Sequence, residues 1–150
     1  MARRYSVTAP TEAGTGPKTA INIIGSTTVR PQLYDVIAGI STTPADQTFQ
    51  FVVARTTAVG TTAASAPTPA KLDDGDVAAV CTVGWTHSAE PTYASVFLLD
   101  VQLNVRATFR WVASPGGELF GTASANNGIG IKNHLASASS TMRAVGHWCE

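Results

Sequence analysis

A chain of 150 residues is long enough for one domain with its own core, yet only 13% of its side chains are charged, about half the usual share in soluble proteins. Ten basic and ten acidic residues cancel, which excludes a strong electrostatic attraction to nucleic acid or to an anionic membrane. The chain lacks both a long apolar window for a transmembrane helix and the apolar region of a signal peptide, which predicts synthesis in the cytoplasm.

The N-terminal third of the chain predicts an arm followed by strands. Residues 1–17 begin with a possible short strand and continue into a Gly- and Pro-containing turn, so we expect an extended N-terminal arm here. Segments rich in Thr, Val and Ile follow at 18–24 and 29–40, and they are predicted to be strands. Residues 48–56 alternate with a period of two, which indicates a strand with one buried face.

The middle of the chain predicts a loop and one short helix. Residues 60–70 are low in complexity and contain Thr, Ala and Pro, so we expect a long exposed loop. Residues 73–80 are predicted to form a short helix with an acidic first turn made by Asp73, Asp74 and Asp76. We interpret the three carboxylates as side chains of a solvated turn and not as calcium ligands, because the sequence lacks the EF-hand pattern that ends in Glu.

The longest pattern in the chain runs from Phe97 to Ala113. From Leu99 onward apolar and polar residues alternate, which predicts one long strand, or two strands joined by a bend near 104–107. The polar residues on the other face are Asp100, Gln102, Asn104, Arg106, Thr108 and Arg110. This set does not contain the nucleophile and general base that an active site would need. We interpret this face as a surface for contacts between subunits.

Further strands are predicted near 128–131 and 143–149, and a short strand or a bend is predicted at 83–87. Seven or eight short strands separated by turn signals predict an all-β fold. We expect a single-domain antiparallel β-sandwich, jelly-roll-like, over residues 18–150.

No residue pattern in the sequence indicates catalysis. His87 and Glu90 have a spacing that suits a metal or acid–base pair on a helix, but the following proline predicts a loop. His134 and His147 are isolated, and no serine lies in a nucleophile elbow. We therefore predict a protein without enzymatic activity, cofactor or metal.

We predict structural roles for the two cysteines and the three tryptophans. Cys81 and Cys149 lack metal-ligand spacing, so we expect free or buried thiols, with a disulfide between them left open. The tryptophans are predicted anchors of the core or of an interface, and they are Trp85, Trp111 and Trp148.

Several segments resemble small proteins encoded in the structural-gene regions of tailed phages and their prophages. These segments are Ala2-Arg-Arg-Tyr-Ser-Val-Thr-Ala-Pro10, Ser41-Thr-Thr-Pro-Ala-Asp46, His87-Ser-Ala-Glu-Pro-Thr-Tyr93, Arg106-Ala-Thr-Phe-Arg-Trp-Val112, Pro115-Gly-Gly-Glu-Leu119 and Asn127-Gly-Ile-Gly-Ile131. The resemblance covers nearly the whole chain and implies a virion component, namely a capsid decoration (cement) protein. It further implies binding to the major capsid protein as a homo-oligomer, typically a trimer, and it supplies no catalytic residues.

The low charge of the chain agrees with this context, because the cores of protein interfaces are depleted in charged residues. We expect capsid or intersubunit contacts through residues 3–17 and 60–70, with the polar face at 100–110 as a second surface. The candidate contact residues are Arg3, Arg4, Tyr5, Val7, Thr61, Thr62, Pro67, Pro69, Arg106 and Arg110. The alternative function is a tail or neck protein, such as an adhesin for a host carbohydrate, with Trp85 next to His87 as its local indication.

Overall fold

The computed structural model describes residues 2–10, 17–41, 46–62, 66–135 and 141–150, and within these ranges the chain forms thirteen strands and no helix. The strands are β1 (Arg4–Thr8), β2 (Lys18–Ile24), β3 (Gln32–Ile40), β4 (Thr48–Ala58), β5 (Thr61–Thr62), β6 (Ala70–Lys71), β7 (Thr82–Gly84), β8 (His87–Ala89), β9 (Thr92–Asn104), β10 (Phe109–Val112), β11 (Leu119–Phe120), β12 (Gly128–Asn133) and β13 (Met142–Cys149).

Two antiparallel sheets contain all but two of these strands. The first sheet has the order β10-β3-β13-β1-β6, with β11 also paired to β3, and the second has the order β7-β2-β12-β4-β9. If the eight longest strands are renumbered in chain order, the sheets read 6-3-8-1 and 2-7-4-5. This is the strand order of a jelly roll, so the predicted fold class is confirmed.

The core lies between the two sheets and follows from the period-two patterns. Along β13, Met142, Ala144 and Trp148 are buried, while Arg143 between them is exposed. The ring of Trp148 packs on that of Tyr5 in β1, with ring centroids 5.8 Å apart. Alternation therefore directs one side of β13 into the core. The central strands β2 and β4 are instead buried on both faces over most of their length, although the sequence of 48–56 alternates.

The N-terminal residues differ from the predicted arm. Residues Arg4–Thr8 form β1, which pairs with β13 on one side and with β6 on the other. Tyr5 and Val7 are buried in the core, because their alternation with polar residues directs them between the sheets. They are therefore structural residues and not exposed contact residues. Residues 11–16 of the predicted arm lie outside the described part of the chain.

The predicted helix at 73–80 is absent, and the segment consists of turns and bends. Asp73 accepts a hydrogen bond from the Gly75 amide through its side chain, at 2.9 Å. Its carbonyl oxygen accepts another from the Asp76 amide, at 3.0 Å. Asp and Gly favour such local turns over a helix, which explains the difference.

The long alternating stretch forms two strands that belong to different sheets. β9 is the edge of the second sheet, whereas β10 is the edge of the first. The bend lies at Val105–Arg106, within the predicted interval, and Val105 is buried there. Because the bend crosses between sheets, the polar residues of 100–110 do not share one face, and this expectation is corrected.

Candidate interaction surfaces

One surface is built where the N-terminal strand meets the loop after β6. The loop continues from Lys71 into residues 72–80, and the Leu72 amide donates to the Arg4 carbonyl at 3.0 Å. Within it, three large apolar side chains are exposed to 44–52%, namely Leu72, Val77 and Val80. We call residues 3–4 and 66–80 the β6 edge surface. It combines apolar side chains with the exposed Arg3 and Arg4.

The β6 edge surface is held in a defined position by hydrogen bonds to buried elements. The Tyr5 hydroxyl donates to the Val77 carbonyl at 3.0 Å. The Glu150 carboxylate accepts from the amides of Val80 and Cys81, at 2.9 and 2.8 Å. These contacts fix the loop, so its apolar side chains are presented on an ordered backbone.

A second surface is the side of the sandwich where β9 and β10 form the two sheet edges. Inward-facing residues on the central strands are buried, as Phe49, Val53 and Val36 illustrate. The corresponding apolar residues on the edge strands are only half-buried although they pack against the core, and they include Leu99, Leu103 and Trp111. We call this the open side of the sandwich, because the core is incompletely covered there.

A charged cluster lies on the outer face of the first sheet, across β10, β3 and β13. Asp35 is 4% exposed and accepts two hydrogen bonds from Arg110, from Nε at 3.1 Å and from Nη2 at 2.8 Å. The Nδ1 atom of His147 lies 3.0 Å from Asp35 Oδ2. Burial alone would raise the pKa of Asp35, but the hydrogen bonds from Arg110 and His147 outweigh it and lower that pKa below its ordinary value.

The outer face of the second sheet is covered by residues near the start of β9. The Tyr93 and Thr19 hydroxyls are hydrogen-bonded at 2.8 Å, and the Lys132 ammonium lies 4.2 Å from the centre of the Tyr93 ring. Burial raises the pKa of Tyr93, and it lowers the pKa of Lys132. The Glu90 carboxylate accepts from the Thr19 amide and lies 3.3 Å from the Lys18 ammonium. This cluster seals the sheet, and the raised pKa keeps Tyr93 protonated.

His87 and Glu90, whose spacing would suit a metal or acid–base pair on a helix, do not lie on a helix. His87 is 7% exposed and lies in β8, which pairs with β5, whereas Glu90 binds Thr19 and Lys18. Trp85, the local indication of a sugar platform beside His87, is half-buried and packs against the core. Among the described residues, no group of three His, Cys, Asp or Glu side chains is placed to hold a metal ion.

Apart from Tyr5 and Val7, which are buried in the core, the predicted contact residues are distributed over three places. Arg3, Arg4, Pro67 and Pro69 belong to the β6 edge surface, where the structure brings the two predicted segments together. Thr61 and Thr62 form β5 and pair with β8.

The other two predicted arginine contacts, Arg106 and Arg110, lie near the open side, and both have partners within the chain. Arg106 Nε is 3.1 Å from Asp46 Oδ1, with both side chains exposed. Arg110 is bound to Asp35 in the charged cluster. Their guanidinium groups are therefore already paired within the chain.

Sequence reasoning missed the exposed residues Leu72, Val77 and Val80, because it assigned 73–80 to a short helix and not to an exposed turn. The signal that could have found them is the density of Asp and Gly around them, which favours turns. A turn exposes its side chains in every direction and does not gather them on one buried face.

Cys81 and Cys149 are both free thiols and do not form the disulfide that the sequence left open. Burial raises the pKa of Cys81, and the neighbouring Glu150 carboxylate raises it further.

A helix suited to crossing a membrane does not occur in the described part of the chain. In comparisons with known proteins, no family model, no curated protein and no solved structure matches this chain.

Proposed function

We propose that this chain is a structural component of a tailed-phage particle: a capsid decoration (cement) protein on the outer surface of the major capsid lattice. The observation that carries the proposal is the β6 edge surface, where Leu72, Val77 and Val80 are exposed on an ordered loop. Large apolar side chains that are exposed near one another in sequence favour association with a partner that removes them from water. The proposed partner is the major capsid protein.

The arginines of the same surface give the contact its polar rim. Arg3 continues the antiparallel pairing of β1 through backbone hydrogen bonds with Glu150, at 3.0 and 3.3 Å. Its side chain and that of Arg4 are therefore exposed on a fixed backbone beside the apolar residues. An apolar centre with charged residues around it is the usual composition of a specific protein interface.

The proposed mechanism is stabilisation of the head by mass action. A protein that binds the expanded lattice and not its precursor lowers the free energy of the expanded state at every occupied site. The resemblance to phage proteins implies a homo-oligomer, typically a trimer, and linked contacts dissociate together less readily than single ones. This role requires no catalysis, cofactor, nucleic acid or membrane, and it places the chain in the virion after synthesis in the host cytoplasm.

The first experiment measures the copy number of this chain in purified particles against the major capsid protein, by quantitative mass spectrometry. A ratio near one, or a simple fraction of one, is the expected result for a lattice decoration protein. A few copies per particle would contradict a lattice role and would favour the tail or neck protein instead. Absence of the chain from the particle would exclude both functions.

The second experiment tests the surface. Purified chain is added to expanded heads that lack it, and bound chain is measured after sedimentation. The double variant Leu72→Ser/Val77→Ser is expected to lose most of its binding. Val96→Ser, which removes a 70% exposed valine from β9, is the matched control and is expected to bind normally. Equal binding of both variants would contradict the assignment of the β6 edge surface.

The alternative function as a carbohydrate-binding adhesin gains no specific support. Binding sites for sugars generally present an exposed aromatic ring beside hydrogen-bonding groups, whereas Trp85 packs against the core and His87 is buried. We therefore propose the decoration protein alone.

A further inference from the structure

The outer edge of β9 is a long row of backbone groups that the described residues leave without a strand partner. β9 runs from Thr92 to Asn104 and pairs with β4 on one side, and it is the last strand of its sheet in the parts of the chain that the structure describes. Backbone N–H and C=O groups at such an edge are arranged to pair with another extended strand.

The other sheet edges are short, whereas this one is not. The edge strands β6, β7, β10 and β11 contain two to four residues each, and β9 contains thirteen. Proteins commonly protect an exposed edge by keeping it short, by charging it or by placing bulges in it. β9 has one charged residue, Asp100, and its register shifts lie between Thr92 and Leu99. The segment Leu99–Asn104 pairs with β4 residue for residue, so it contains no bulge, and Asp100 is its one charged residue.

The core opens beside this same segment. The inward-facing residues Leu99, Val101 and Leu103 are half-buried, and so are Phe109 and Trp111 on β10 across the gap between the sheets. A strand added to the edge of β9 would place its own inward-facing side chains over these residues. The free edge and the incompletely covered core therefore favour the same occupant, an extended strand with apolar residues at alternate positions.

We propose that this occupant is β9 of a second copy of the chain, paired antiparallel about a two-fold axis that passes through Val101. In this register Val101 lies opposite Val101 of the second copy, and Leu99 lies opposite Leu103 of the second copy. All three inward positions of each strand then meet apolar residues and extend the core across the interface. Moving the axis to Gln102 would instead place Leu99 opposite Val105, which lies in the bend beyond the strand and is buried.

The charges of the strand suit this self-pairing. Asp100, the single charged residue of β9, lies opposite Gln102 of the second copy and meets no like charge. Gln50 of the same chain already donates to Asp100 Oδ1 at 2.7 Å, so an amide beside this carboxylate repeats a contact that the chain makes by itself. Directly opposed like charges would destabilise a strand pair, and this register avoids them.

The pairing stands apart from the proposed function, since it concerns the isolated protein and not the capsid. Because the contact is two-fold, it joins copies in pairs. If β9 is the sole contact between copies, the assembly is a dimer. If the trimer implied by the resemblance also forms through another surface, the same contact joins two trimers. In both cases the number of chains is even.

The experiment uses the full chain and measures its mass in solution by size-exclusion chromatography with multi-angle light scattering, over a series of concentrations. The wild type is expected to contain an even number of chains. Gln102→Asp places two acidic side chains opposite each other twice per pair, and it is expected to halve the mass and raise the dissociation constant about tenfold or more. Ser95→Asp adds the same charge to an exposed position of β9 outside the paired segment, and it is expected to leave the mass unchanged.

A charge-reversal variant keeps the test independent of folding defects. Asp100→Lys/Gln102→Asp restores opposite charges across the proposed interface, and it is expected to recover the wild-type mass. Amide hydrogen exchange is expected to be slow for 99–104 in the wild type and faster in Gln102→Asp. A wild-type mass of one or three chains, or an unchanged mass in Gln102→Asp, would overturn the pairing. None of these results depends on whether the chain is found in a phage particle.

Discussion

Arg110 on β10 binds Asp35 on β3 through two parallel hydrogen bonds, although the two residues are 75 positions apart in the chain. The carboxylate is buried, whereas the guanidinium side chain remains 60% exposed. β10 is a four-residue edge strand that pairs only with β3 among the described residues. The bidentate contact therefore fastens the short strand to the sheet and helps to define the open side of the sandwich.

Replacement of Asp35 by Ala is expected to destabilise the chain by about 2 kcal/mol, because charge-assisted hydrogen bonds from Arg110 and His147 are lost. Urea-induced unfolding followed by tryptophan fluorescence measures this change. Asp46→Ala is the matched control, because it removes an ion pair with Arg106 in which both side chains are exposed. Its expected cost is below about 1 kcal/mol. Equal costs for the two variants would contradict the structural role of the Asp35 contact.

The same carboxylate predicts a dependence of stability on pH. The pKa of Asp35 is lower in the folded chain than the value of about 3.9 expected when the chain is unfolded. Its contribution is therefore complete above about pH 4 and is lost as the pH falls through the folded-state pKa. The free energy of unfolding is expected to fall less steeply below about pH 4 in Asp35→Asn than in the wild type. Urea unfolding over a pH series tests this, and identical slopes would contradict it.

Gly130 is predicted to be a sensitive glycine because the Tyr93 ring lies directly over it. A Cβ atom at this position would lie 2.7 Å from Cε1 of Tyr93, so the ring would have to move away from Thr19. Gly130→Ala is expected to cost about 1–3 kcal/mol in the free energy of unfolding.

Gly39 provides the comparison for this substitution. It also lies within a strand, but the first atom that a Cβ atom would meet there is Thr108 Oγ1 at 3.5 Å, an ordinary contact. Gly39→Ala is therefore expected to change the unfolding free energy by less than about 1 kcal/mol. Thermal and urea unfolding of both variants measure the difference, and an equal loss in the two would show that the Tyr93 contact is unimportant.

Glu150 is expected to control the order of the β6 edge surface. The amides of Val80 and Cys81 donate to different oxygens of Glu150. Glu150→Gln retains the size of the side chain but removes its charge and leaves one acceptor oxygen in place of two. Amide hydrogen exchange at these two positions is expected to accelerate, with a loss of about 1 kcal/mol in local stability. Glu118→Gln is the control, because Glu118 accepts a longer bond of 3.4 Å from Gly116 in an exposed turn. Unchanged exchange at Val80 and Cys81 would contradict this function of Glu150.

Much of the strand content is predictable, because the residue pattern of a strand is contained in a few neighbouring residues. The strand predicted at residues 18–24 coincides with β2, since a run of Thr, Ile and Ala residues bounded by turns depends on its near neighbours alone. The bend within the long alternating stretch is one of the two alternatives that its pattern predicts. The assignment of its two halves to different sheets is not predictable in this way, because sheet membership depends on partners far away in the sequence.

Candidate surfaces are less predictable than strands, because exposure is a property of the assembled sandwich. The sequence predicts a short helix for the segment that contains Val77 and Val80, whereas the segment forms turns that are held by Tyr5 and Glu150 and leave both valines exposed. Tyr5 and Val7 show the reverse, since the sequence places them on an exposed arm and they are buried by β13 and the core. In both cases a distant element decides which side chains reach water.

The sequence alone determined the all-β class, the low charge and the approximate extent of the main strands, because composition and period-two alternation act over a few neighbouring residues. Tertiary structure decided the jelly-roll order, the meeting of Asp35 with Arg110 and His147, and the unpaired edge that β9 presents among the described residues. Each of these arises from hydrogen bonds and packing between residues that are far apart in the chain, so no local pattern specifies them.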